Sequence, residues 1–368
     1  QLSAGKVSPS AGVHVGRIML HASGEPARDT RLMSLVSEAQ ALARAPEQGC
    51  AVSAAVTREI RGLFFLEPLT DVSRAGLTSG AMLVGDLRAP DEVIGKFVGR
   101  KNQLRRVGEI LAAATRRRLR IVSIQGEQGI GKTRFLYEVH RRLRKGDYNV
   151  GFYLASCPPR GRENSLSGLT AMLEVLCGVR EGDPLERVLG VEPRLRALGL
   201  PDEERNAVLG QLGVKRIGQT GPNLPPLRAA FARMVQRLCE DRLHAFVLDN
   251  AHALDEDTLN VLQGSTLRLA ATRAVFIMAA RTPVQHKLFQ HTSHEKIVLD
   301  ELDDSEMARL VAVRSGLKTP SPDLIEFFRS RAGGHPLFIE ELVKELIETG
   351  ALVVQNGMAE SVKLTGDV

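Results

Sequence analysis

Cysteine is sparse in this sequence. Cys50, Cys157, Cys177 and Cys239 are the only four in 368 residues, they lie far apart, and no two form a CxxC pair. That gives no basis for a disulfide framework and points to buried thiols in a reducing compartment. Long apolar runs are missing too. None reaches the roughly 18 residues that a membrane-crossing helix needs, and no signal-peptide pattern precedes the first periodic segment, so a cytoplasmic location is expected. His291 and His294 in HTSH have a ligand-like spacing, but no third ligand accompanies them and a polar loop is expected. The net charge is +6, yet the arginines are scattered through helical segments and balanced locally by Glu and Asp. A solvated surface is therefore expected rather than a nucleic-acid patch, and neither nucleic acid nor a membrane is expected as a partner within this chain. The densest basic runs are TRRRLR (residues 115–120) and HRRLRK (140–145). The second ends a helix, where cations favour the negative end of the dipole. The first residue is Gln rather than Met, and a fragment of something longer is expected.

With 43% apolar and 25% charged positions, the chain has the composition of a globular protein with two or three domains. Residues 1–80 alternate short apolar runs (GVHVGRIML, GCAVSAAV, GLFFLEPL) with a helical pattern over Thr30–Arg44, which predicts a small α+β segment. Gly, Pro and Asp gather over residues 81–96, which predicts a linker. Residues 97–302 repeat buried strand, turn and amphipathic helix. RIVSI, NVGFYLASC, AFVLD, AVFIMAA and KIVLD are the strands, and Phe135, Val139 and Leu143 mark one helix. Strands alternating with helices predict a parallel sheet covered on both faces. Residues 178–226, rich in Gly and Pro, predict helical insertions on the sheet's rim. Residues 303–368 predict a small all-helical domain, with Asp304 or Ser305 as an N-cap and GGHP as a break.

One stretch carries chemistry outright. GEQGIGKTR (residues 126–134) meets the pattern GxxxxGK[ST] through Gly126, Gly131, Lys132 and Thr133, whose chance occurrence in a chain of this length is on the order of one in a hundred. An apolar strand precedes it and an amphipathic helix follows it, as a phosphate cradle requires. The whole loop, Gly126, Glu127, Gln128, Gly129, Ile130, Gly131, Lys132, Thr133 and Arg134, is assigned to the nucleotide. Glycines bring backbone N–H groups close to phosphates, and the helix N-terminus adds positive potential. Lys132 then pairs with the outer phosphates, and Thr133 offers its hydroxyl to Mg²⁺. The second metal-orienting acid is Asp249, which ends the apolar strand AFVLD.

From Phe97 to Leu352 the chain resembles the STAND-type signalling ATPases, relatives of the AAA+ ATPases. The likeness rests on the order of FVGRKNQL, the P-loop, LDNAHALDEDTL, AARTP and GGHPLFIEEL. It implies a P-loop NTPase fold followed by a helical domain, with ATP or ADP and Mg²⁺ as cofactors. It also implies that Val98, Gly99 and Arg100 lie against the adenine, that Arg281 senses the γ-phosphate, and that Gly334, His335 and Pro336 close over the nucleotide. Arg100 and Arg281 as surface charges, and GHP as a plain helix break, remain the alternatives. Many members carry two acids at the end of the strand, whereas here the second position is Asn250. An amide orients a water but is no general base at neutral pH, so the catalytic set Asp249, Asn250 and Arg281 implies slow hydrolysis at best. His252, Asp255 and Glu256 are the weaker substitutes.

GVHVGRI together with residues 35–69 looks like the C-terminal half of a class III nucleotide cyclase domain. Where active cyclases show V-N-x-A-x-R, this chain has Val36, Ser37, Glu38, Ala39, Gln40 and Ala41, so cyclase activity is not expected. A silent element for dimerisation or sensing and a plain α+β spacer are equal readings. The overall expectation is an ATP-gated signalling switch with a protein partner or self-association. A scaffold that holds nucleotide without turning it over is the alternative.

Overall fold

The computed structural model describes residues 10–14, 30–44, 49–60, 64–69, 81–87, 96–146, 148–157, 165–179, 190–213, 224–355 and 358–362. It divides into two compact units, Gln1–Lys96 and Phe97–Val368.

The first unit holds a four-stranded mixed sheet in the order β1-β2-β4-β3, formed by β1 (Ser10–Val13), β2 (Gly49–Val52), β3 (Phe64–Pro68) and β4 (Met82–Leu87). Helix α1 (Thr30–Arg44) covers the span read from periodicity, and α2 (Ala54–Ile60) follows β2. Gly12 admits α1 closely, since a Cβ there would stand 2.1 Å from the Ala39 carbonyl oxygen. The expected linker over residues 81–96 is corrected in its first half. Met82–Leu87 is a strand paired antiparallel to both β2 and β3, and pairing on two sides outweighs the turn-like Gly85 and Asp86. Much of the cyclase-like stretch, including residues 15–29, lies outside the described residues.

In the second unit, α3 (Lys101–Ala114) leads into β5 (Arg120–Gln125). Then come α4 (Lys132–Lys145), β6 (Val150–Ser156), α5 (Ser167–Cys177), α6 (Val191–Ala197), α7 (Asp202–Gln211), α8 (Leu224–Leu238), β7 (Leu243–Asp249), α9 (Glu256–Leu269), β8 (Ala274–Ala280) and β9 (His294–Val298). All five strands run parallel in the order β6-β7-β8-β5-β9. Every residue of β7 and β8 is buried; β8 is an unbroken apolar run, and β7 is apolar from Ala245 to Leu248 between His244 and Asp249. Alternate residues feed two cores. Phe246 and Leu248 join α5, α8 and α9 on one face, while Ala245 and Val247 join α3 and α4 on the other. On α4, Phe135, Val139 and Leu143 supply the buried stripe and Arg142, Arg144 and Lys145 occupy the last turn. The insertion expected on the rim belongs to the first of these cores, because Val191, Leu195, Val208 and Leu209 are buried within it.

Three helices follow: α10 (Asp304–Ser315), α11 (Pro322–Ala332) and α12 (Pro336–Glu348), which share a core of their own. The N-cap of α10 is Asp303, one residue before the expected pair, because its carboxylate accepts the Glu306 N–H at 2.8 Å and the Ser305 hydroxyl at 2.8 Å. The expected all-helical end is also corrected. After α12 the chain forms an antiparallel pair, β10 (Leu352–Gln355) with β11 (Met358–Val362). Among the described residues, no helix is long and apolar enough to cross a membrane.

Candidate functional site

The site grows from strand order. The loop after β5 opens α4, and β8 lies between β5 and β7. A bond from that loop to the end of β7 therefore passes over the C-terminal end of β8. Gly129 (φ +80°) and Gly131 (φ +96°) hold left-handed backbone that turns the loop into the helix. Thr133 Oγ1 then donates to Asp249 Oδ2 at 2.6 Å, and Asp249 Oδ1 accepts the Asn250 N–H at 2.8 Å. Lys132 is buried and donates to the carbonyl oxygens of Gly126 (2.8 Å) and Glu127 (2.7 Å). Burial lowers its proton affinity; Asp249 opposes that shift and Arg281 adds to it. Arg281 follows directly on β8, which is why it shares the field of Lys132.

A cavity of about 360 Å³ opens over this loop. Its floor is residues 128–134, with Asn250 and Arg281 on the strand side. Phe97, Val98, Leu302, Leu310, Pro336 and Leu337 make an apolar wall, and Glu340 completes it. The cavity thus combines cations with apolar surface, which suits a ligand with a polyanion and a flat ring. The Thr133 hydroxyl and the Asp249 carboxylate are hard oxygen donors of the kind that would hold a divalent cation. Among the described residues, no group of three or more His, Cys, Asp and Glu converges as a metal site.

Several expected residues stand behind the wall rather than on it. Gly126 and Glu127 contribute carbonyls to Lys132 and do not line the cavity. Gly99 faces the helices instead, for a Cβ there would lie 2.7 Å from the Glu306 carboxylate. Arg100 is not a surface charge. It is 5% exposed, takes left-handed backbone (φ 59°), and its guanidinium makes a long 3.5 Å bond to the Ile130 carbonyl. Gly334 and His335 are one layer back, and a Cβ at Gly129 would lie 2.6 Å from His335 Cε1. Asn250 also adopts left-handed backbone (φ 55°), which Asn tolerates, and its amide donates to Ser156 Oγ at 3.3 Å. Asp255 is committed as the α9 N-cap, accepting from the N–H and hydroxyl of Thr258 and from the Leu166 N–H. His294 faces Ser123, with Nε2 and Oγ 2.9 Å apart. Phe97, Leu302, Leu310, Leu337 and Glu340 were not read from the sequence as site residues. Glu340 stands in the quoted GGHPLFIEEL, but only the packing of α12 on the loop brings it to the cavity.

Residues 96–278 match the model of the AAA ATPase domain. An AAA ATPase domain is a nucleotide-binding P-loop unit, and the parallel five-stranded sheet flanked by helices is the P-loop NTPase fold. Residues 303–360, beyond the AAA match, fit a domain of unknown function (DUF8739). An uncharacterised protein of Rhizobium meliloti (strain 1021) is 24% identical over 260 residues, covering 67% of this chain and 25% of that protein. The chain thus spans about a quarter of the length of the curated relative it matches. Similar solved structures include a STAND protein with a tetratricopeptide repeat sensor from Pyrococcus horikoshii, 17% identical over 68% of this chain and 32% of that one, with a TM-score of 0.38. A RuvB of Thermotoga maritima is 13% identical over 70% and 63%, with a TM-score of 0.40. A chain of the E. coli HORMA:CdnC:Trip13 complex is 14% identical over 72% and 85%, with a TM-score of 0.42.

Proposed function

We propose that this chain is a Mg-ATP-binding switch in which the nucleotide lies between the α/β sheet domain and the three-helix domain, and slow hydrolysis resets their relative orientation. The observation that carries this reading is the shared cavity. Lys132 and Thr133, the latter bonded to Asp249 behind it, line it from the sheet side, and Pro336, Leu337 and Glu340 from the helical side. In this reading Lys132 and the loop N–H groups hold the phosphates, and Val98, Arg100 and Pro336 belong to the nucleotide wall. Arg281 faces the terminal phosphate. Mg²⁺, when bound, neutralises phosphate charge, and Thr133 and Asp249 are the residues that hold it.

One observation favours the second reading, a nucleotide-holding scaffold. Among the described residues, the only carboxylate on the cavity wall is Glu340, and it is bound by arginines; Asn250 is an amide and Asp255 a helix cap. Hydrolysis is therefore slow in the first reading and absent in the second. The first unit serves as a silent cyclase-like element for dimerisation or sensing, with Ser37 and Ala41 of α1 where active cyclases place Asn and Arg. A protein partner or a second copy receives the signal, in the cytoplasm. The test is to denature the purified protein and identify the released nucleotide. Adenine nucleotide is expected, and protein that carries none and takes up no added ATP overturns both readings.

A further inference from the structure

The carboxylate of Glu340 is out of place on a wall built for an anion. Its other ionic residues, among those described, are Arg100, Lys132, Arg134 and Arg281. Glu340 lies on α12 one turn beyond Pro336, and its Oε1 accepts from Arg134 Nη1 at 2.7 Å. The same oxygen accepts from Arg314 Nε at 3.1 Å and Nη2 at 2.8 Å. Arg134 directly follows Thr133 on α4, whereas Arg314 stands on α10 one turn beyond the wall residue Leu310. A single oxygen thus joins the helix that opens the phosphate cradle to two helices of the following domain.

The environment makes this joint responsive. The three side chains are shielded, at 19%, 31% and 22% exposure for Arg134, Glu340 and Arg314, so their attraction is less screened than on an open surface. Two guanidinium groups share this one carboxylate oxygen, and burial and Arg314 disfavour the charged form of Arg134 while Glu340 and Glu138 support it. A polyphosphate beside Arg134 adds negative charge that offsets its repulsion with Arg314 and strengthens the whole set. Another tie between the domains runs from the Arg100 backbone N–H to Glu306 Oε1 at 3.0 Å, and Glu306 is off the cavity wall.

We propose that Glu340, through Arg134 and Arg314, is a positioning residue that latches the helical domain over the cradle and sets how long the nucleotide is retained. This rests on the nucleotide-switch reading and goes beyond it by naming the group that transmits occupancy.

The experiment is stopped-flow release of fluorescently labelled ADP and ATP, with Mg²⁺, from the full chain and from Glu340→Gln, Arg314→Gln and the double variant. Release from Glu340→Gln is expected to speed up on the order of tenfold, within the usual range of coupling between sites. Arg314→Gln, which is off the wall, moves the rate in the same direction, and the double variant goes no further than Glu340→Gln. Raising ionic strength speeds release from the wild type much more than from Glu340→Gln, a difference that a merely structural role does not produce. Wild type that takes up label but releases it at the rate of both single variants overturns the latch alone. Wild type that takes up no label overturns the nucleotide reading, and the latch with it.

Discussion

Thr133 Oγ1 and Asp249 Oδ2 lie 2.6 Å apart although 116 positions separate them in the chain and a third strand separates theirs in the sheet. Such a pair is a half-built cation site. Asp249→Asn keeps an acceptor for the hydroxyl and removes the charge. It is expected to bind ATP in chelator about as the wild type does, and to lose the gain in affinity that Mg²⁺ gives, by at least about tenfold. Isothermal titration with and without Mg²⁺ measures this, and an undiminished Mg²⁺ effect in the variant places the cation elsewhere.

Asn250→Asp probes the limit on turnover. Asp tolerates the left-handed backbone (φ 55°) that Asn250 adopts, so the substitution changes basicity and charge rather than geometry. A positioned general base is worth about 10²–10⁴ in rate. Phosphate release is expected to rise at least about tenfold. An unchanged rate in a wild type that already turns over shows that the amide is not limiting.

The two glycines before α12 separate strain from collision. Both are left-handed, Gly333 at φ +58° and Gly334 at φ +82°. A Cβ on Gly333 meets only a carboxylate oxygen at 3.8 Å, whereas one on Gly334 lands 2.6 Å from the Leu302 backbone oxygen. Gly333→Ala should cost about 1 kcal/mol of stability. Gly334→Ala should cost about 3 kcal/mol, because the clash adds to the strain. Denaturant midpoints of the two variants check the order.

His244 gives the fold an acid-side sensitivity. It is 2% exposed, stacks on Tyr153 and Phe246, and is held by burial and by Arg242 to a pKa of about 4 against an ordinary 6.5. The folded state therefore refuses a proton that the unfolded chain accepts. This contribution is complete above pH 6.5 and declines as the pH falls towards 4, by about 3 kcal/mol. His244→Phe keeps the stacking, and the slope of its stability between those pH values should be shallower than that of the wild type.

The parts of this fold visible in the sequence are those written locally. AVFIMAA is β8 residue for residue, the P-loop announces itself by spacing, and Asp249 ends its strand as expected. Strand β4 was hidden because MLVGDL carries turn residues and owes its state to partners on both sides. The hairpin of β10 and β11 was hidden for a related reason, each short strand being stabilised by the other. The order β6-β7-β8-β5-β9 is set by crossovers that no local pattern records. Glu340 and Glu306 were overlooked because nothing distinguishes them from other helix-surface acids until α10 and α12 pack against the loop. Asp303 was missed by one position, a shift that only the cap's hydrogen bonds reveal.

The central claim rests on Lys132, buried at the head of α4 with its ammonium bonded to two loop carbonyls. Titration of labelled Mg-ATP into wild type and Lys132→Ala tests it most directly. Saturable binding by the wild type and none by the variant is the expected result, and full affinity in Lys132→Ala would contradict the account.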